Sequence, residues 1–100
     1  MDALVITSRY TCCEGLSPEE SKAVKSLDAT DTWLQSIASL KRQQYPSYVK
    51  DLVEKQKNKP RFIVISDDVP QELTFMINDA FAKIQQDTFF LHKNGILKKI

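Results

Sequence analysis

Two adjacent cysteines stand where an apolar run stops and a helix start follows, in Tyr10-Thr11-Cys12-Cys13-Glu14-Gly15. Thiols at the amino end of a helix suit redox or metal chemistry. The free amides and the dipole there favour the thiolate, which is the form that attacks or ligates. Two features count against that chemistry. Adjacent cysteines close only a strained eight-membered ring. The helix start at Ser17 lies four residues beyond Cys13, and the dipole fades within about one turn. Cys12 and Cys13 are the candidate thiols of this chain, but packing explains them better, one as a small buried hydrophobe and the other at the rim.

The remaining chemistry-bearing residues are sparse. His92 is the sole histidine, beside an expected hairpin turn and with no carboxylate near it in sequence to orient it as a base. A zinc site from Cys12, Cys13 and His92 lacks a fourth ligand and a recognisable spacing. Asp67-Asp68 follows a buried strand, at the end where open α/β sheets place their sites. The pair could hold Mg²⁺, yet capping of the next helix accounts for it more simply. Gly15 and Gly95 are the only glycines, which excludes the glycine-rich phosphate and dinucleotide loops. No serine-centred nucleophile elbow occurs. No complete catalytic constellation is present, and neither cofactor nor metal is expected.

Composition places the chain among ordinary globular domains, with 42% hydrophobic and 27% charged residues. One hundred residues fit a single domain, 1–100. The longest apolar run, Phe62 to Ile65, is far short of a membrane span, and MDALVITS has no basic flank of the signal-peptide type. Two neighbouring cysteines make no disulfide framework, so a reducing, cytoplasmic setting is expected. Net charge is +1 but uneven: Lys41, Arg42, Lys50, Lys55, Lys57, Lys59 and Arg61 give residues 41–61 a basic character. Nucleic-acid binding needs such residues clustered on one face. A solvated helix face, with Lys50 and Lys55 paired to Glu54 and Asp51, is preferred.

These residues must be positioned by a small set of elements. Ala3-Leu-Val-Ile-Thr7 reads as a buried strand. Ser17-Pro18-Glu19-Glu20 supplies a cap, a first-turn proline and a capping box. Asp28 to Asp31 marks a break, after which Trp33, Leu34, Ile37, Ala38 and Leu40 recur at helical spacing; one continuous bent helix is the alternative. A third helix opens at Pro46. Phe62-Ile-Val-Ile65 is a second buried strand, followed by a helix whose stripe is Leu73, Met76, Ile77, Ala80, Phe81 and Ile84. TFFLH-KNG-ILKKI reads as a β-hairpin with Asn94-Gly95 in a type I′ turn. The expected fold is α/β, a mixed sheet of about four strands in the order β-α-α-α-β-α-β-β, flanked by helices and ending in the hairpin.

With ALVIT leading to the cysteines, FIVISDD leading to a helix, and a closing hairpin with a Lys-Asn-Gly turn, the chain resembles the thioredoxin-like superfamily. That resemblance implies thiol redox or metalloid binding through Cys12 and Cys13. The adjacency of the cysteines and the absence of a proline from Gln85-Gln86-Asp87-Thr88 depart from it. Two shorter stretches, ITSRY before a serine-started helix and RFIVISDDVP before an amphipathic one, are similar to segments of a small phage-encoded inhibitor of Cas9. That likeness implies action by occupying a partner's surface.

The leading expectation is a small cytoplasmic, non-enzymatic module that binds another macromolecule, most simply a protein, as a regulator, inhibitor or adaptor. The alternative is the thioredoxin-like thiol or metalloid protein. The candidate interaction surface comprises Lys55, Lys57, Lys59, Arg61, Phe90 and His92. A homodimer through the hairpin edge is a further route, nucleic acid is a lesser one, and no membrane partner is expected.

Overall fold

The computed structural model describes residues 3–10, 15–55, 60–84, 86–92 and 95–99. Its elements run β1 (Ala3–Thr7), α1 (Pro18–Ser26), β2 (Thr32–Ser36), a 3-10 turn (Arg42–Gln44) leading into α2 (Tyr45–Lys55), β3 (Phe62–Ser66), α3 (Gln71–Ala82), β4 (Asp87–Leu91) and β5 (Leu97–Lys99). The strands form one sheet in the order β2-β1-β3-β4-β5. The first four are parallel, and β5 returns antiparallel beside β4. The α/β class, the mixed sheet and the terminal hairpin are therefore as expected.

The chain supplies five strands rather than four, because the expected second helix is β2. The apolar positions from Trp33 to Leu40 recur at helical spacing, yet tertiary pairing overrides that local pattern. Each residue from Thr32 to Ser36 registers with one from Ala3 to Thr7. Leu34 packs on the α1 side of the sheet, as the alternation of a strand requires.

The end of α1 enforces this change. Asp28 N–H donates to Lys25 O and Ala29 N–H to Val24 O, each at 3.1 Å. Asp28 takes φ 58°. These two bonds and the left-handed residue make a Schellman stop, with Ala29 and Val24 in one apolar cluster. A continuous bent helix is thereby ruled out.

Leu4, Ile6, Ile63 and Ile65 face α2 and α3, where they meet Val49, Leu52, Leu73, Ile77 and Phe81. Ala3, Val5 and Val64 face α1 through Ala23 and Val24. The central residues of β1 and β3 have no solvent exposure, each aliphatic side chain contributing ~1.5–3 kcal/mol. The α3 stripe packs as its periodicity predicts. In the hairpin, Gly95 N–H donates to His92 O and His92 N–H to Ile96 O, both at 3.0 Å. Gly95 takes φ 81°, a left-handed value of the kind the expected turn requires. Asn94 lies outside the described residues.

The Tyr48 hydroxyl donates to Gln35 Oε1 at 2.6 Å, tying α2 to the β2 edge, and burial pushes its pKa up to about 12. The folded state therefore keeps this proton after the unfolded chain has lost it. Stability should fall as pH rises from about 10 to about 12. Urea titrations across that window should show a shallower fall for Tyr48→Phe than for wild type. At the α1 stop, Asp28→Val should cost about 1–2 kcal/mol in urea unfolding, whereas Asp28→Gly should be neutral or stabilising.

Candidate functional site

Parallel strands bring their carboxyl ends to one side of the sheet. The chain leaves β1 for β2 on one flank and returns to β3 on the other, so β1 and β3 part at a topological switch point. In open α/β sheets a ligand crevice forms there. Here it has a volume of about 310 Å³ and is lined by Arg9, Ser17, Glu20, Ser66, Asp68 and His92, among others.

Glu20 and Asp68 each gather polar groups at this crevice, which Glu19, Asp67 and His92 also line. Glu20, only 2% exposed, stands at the third helical position of α1. Its Oε1 accepts the Ser17 N–H at 2.8 Å and the Arg9 guanidinium. Its Oε2 accepts the Ser66 hydroxyl at 2.8 Å. Ser17 Oγ reciprocates by accepting the Glu20 N–H at 3.2 Å, completing the capping box. Arg9 Nη2 donates also to Gly15 O at 3.2 Å. One buried carboxylate thus joins the exits of β1 and β3 to the start of α1.

Asp68 forms the second set. Its carboxylate accepts from Thr7 Oγ1 at 3.1 Å and from the Ser8 N–H at 3.1 Å, while its carbonyl accepts Ser8 Oγ at 2.8 Å. Asp68 therefore laces β3 to β1. The capping role expected for it is not what the geometry provides: α3 is capped by Pro70, which makes no side-chain cap bond. No group of three or more metal-ligating side chains converges among the described residues.

A second concavity, of about 530 Å³, opens between α3 and the β4–β5 hairpin. Val69, Thr74, Phe75, Phe90 and His92 line it, with Lys98 and Lys99 on the β5 side. Phe90 and His92 meet edge to face at 5.0 Å between ring centroids. Phe75 is 59% exposed. His92 and Asp67 border both concavities.

Of the expected interaction residues, Phe90 and His92 are thus brought together. Arg61 is not with them: it precedes β3 at the amino end of the sheet, its guanidinium 5.1 Å from the Phe62 ring. Lys55 ends α2, while Lys57, Lys59, Cys12 and Cys13 lie outside the described residues. Phe75 was not among the expected residues, although it sits off the α3 stripe, where a large apolar side chain must face outward. The Arg9–Glu20 pair had only the capping box as its signal.

No family model matches this chain. No curated protein matches it, and no solved structure does. Among the described residues no helix is long and apolar enough to cross a membrane.

The buried carboxylate is testable by stability. Glu20→Ala should cost about 3 kcal/mol in urea unfolding, because it strands the Arg9 charge and the Ser66 hydroxyl. Glu20→Gln, which keeps an acceptor in place, should cost less. A double-mutant cycle with Arg9→Ala should show a coupling above ~1 kcal/mol.

Proposed function

We propose that this protein is a non-enzymatic binding module that engages another protein through the cleft between α3 and the β4–β5 hairpin. The observation carrying the reading is Phe75, a large aromatic side chain held 59% exposed beside Phe90 and His92 in a concave, largely apolar surface. Exposed aromatics in such settings supply the anchors of protein interfaces. The crevice at the carboxyl ends supports the same reading from the other side. Glu20 and Asp68 are engaged by Arg9 and by surrounding hydroxyls and amides, so these two carboxylates serve cohesion rather than standing free as the base that covalent catalysis needs.

A regulator, inhibitor or adaptor acts in this way, by covering part of its partner. The competing thiol reading rests on Cys12 and Cys13, in the connection between β1 and α1. That connection starts and ends at residues lining the crevice, Arg9 and Ser17, which is the place a thiol centre would occupy in a doubly wound sheet.

A photo-crosslinking phenylalanine analogue at position 75 tests the proposal in the native cell. Discrete protein adducts are expected from position 75 and none from Lys25, which is exposed on α1. Phe75→Ser in the unlabelled competitor should weaken its ability to suppress the adducts by about tenfold or more. Activity of the Cys12→Ser/Cys13→Ser double variant should equal wild type at matched folded concentration. Adducts with nucleic acid alone, lost steeply with salt, would show that the partner is not a protein.

A further inference from the structure

Resting on the cleft reading, we infer that the occupant is an extended acidic segment of a partner protein, added as a sixth strand along β5. Its side chains alternate acidic and bulky apolar residues on the α3 face. Three observations meet at this edge.

The first is main-chain geometry. His92 N–H donates to Ile96 O at 3.0 Å, which makes His92 and Ile96 a hydrogen-bonded pair. Antiparallel pairs alternate between bonded and non-bonded. With Leu91 opposite Leu97, Phe90 opposite Lys98 and Phe89 opposite Lys99, Lys98 turns its main chain toward β4. Leu97 and Lys99 therefore turn their N–H and C=O groups to the open side. Among the described residues β5 is the last strand of the sheet, which leaves these groups to a pairing chain.

The second is the side-chain surface beside that edge. Lys98 shares a face with Phe90, and both line the cleft with Phe75. A strand laid along β5 places alternate side chains on this face. One apolar side chain there reaches toward Phe75, and one two residues away stands opposite Lys98.

The third is charge. Lys99 Nζ is 3.2 Å from Asp87 Oδ1, whereas Lys98 is exposed and free to pair with an incoming carboxylate. The same lysine disfavours a second copy of this chain. Full antiparallel overlap of two β5 strands, with the outward groups of both engaged, sets Lys98 directly opposite Lys98. Like charges at that spacing repel. An acidic segment fits the edge where a copy of β5 does not.

The test uses a synthetic acetylated peptide, Glu-Val-Phe-Thr-Glu-Val-Phe-Thr-Glu amide, whose four-residue repeat offers the required alternation in more than one register, and its twin with Lys in place of Glu. Binding is followed by fluorescence anisotropy and by backbone NMR of the protein. The acidic peptide should bind, the basic twin at least about tenfold more weakly, and the Leu97 and Lys99 amides should become protected from exchange. Lys98→Glu should weaken binding about tenfold. Lys99→Pro, which removes an outward N–H, should weaken it about fivefold, while Lys99→Ala should not. Circular dichroism confirms that each variant is folded.

Several results would overturn the inference. One is equal binding of both peptides. Another is an acidic peptide that does not bind at about 1 mM. A third is amide shifts at Phe75 and Phe90 without protection at β5. A concentration-dependent dimer abolished by Lys99→Pro would assign the edge to a second copy instead. If any of these occurs while position 75 still crosslinks a protein, the cleft reading stands and only the inference of an acidic added strand fails. If position 75 also yields no protein adduct, both fall.

Discussion

The Glu20 carboxylate is the constraint on which the switch point depends. A carboxylate at 2% exposure is tolerable only if its charge is compensated and its lone pairs are engaged. Arg9 supplies the opposite charge, Ser17 N–H and Ser66 Oγ supply donors, and the amino end of α1 adds a favourable dipole. Each partner comes from a different element. Satisfying one buried charge therefore fixes the β1 exit, the α1 start and the β3 exit relative to one another. An apolar side chain in its place would pack, but it would not select the direction in which the chain leaves β1.

That solution has a consequence for where the molecule can act. Doubly wound sheets ordinarily bind ligands where β1 and β3 part, using side chains and amides left free at the strand ends. In this chain the Glu20 and Asp68 sets use those groups for cohesion. The available surface moves to the other end of the strand order, where a hairpin replaces the helical crossover that would continue a parallel sheet. Among the described residues no helix intervenes between β4 and β5, and α3 is the outermost helix on its face. Its flank toward β5, carrying Phe75, stays open. The hairpin both completes the sheet and leaves the cleft uncovered.

The fold was legible where local and tertiary demands agree. Residues 3–6 and 62–65 are uniformly apolar because both of their faces are covered, and Ser17 with Glu20 announces α1 by chemistry that operates within four residues. The apolar positions from Trp33 to Leu40 recur at helical spacing, yet Thr32 to Ser36 pair with β1, so tertiary pairing overrides the local pattern. The Schellman stop was half visible. Asp28 signals a break, but its positive φ depends on bonds to Val24 and Lys25 that no residue type announces. At the site, Phe90 and His92 were legible from hairpin alternation, whereas Phe75 had to be found by asking which apolar residue falls off the helical stripe. Arg9 and Ser66 lie 11 and 46 residues from the carboxylate they bind. Nothing local marks them, because their roles arise from the strand order.

The short edge strand would reconcile protection against edge pairing with the proposed strand addition. An exposed edge templates aggregation unless it is brief or charged, and β5 is both, with three residues of which two are lysine. Brevity also limits what main-chain pairing can contribute. Two outward-facing residues offer four backbone groups, and at ~1 kcal/mol net for each hydrogen bond they yield only ~4 kcal/mol. Micromolar affinity requires ~8 kcal/mol, before any ordering cost of an extended chain. In the proposed mode the edge would orient a partner segment without holding it unaided. The balance must come from burying apolar surface against Phe75 and Phe90, at ~25 cal/mol per Å². Under the proposed strand addition, a strand without the right side chains would find too little edge to stay.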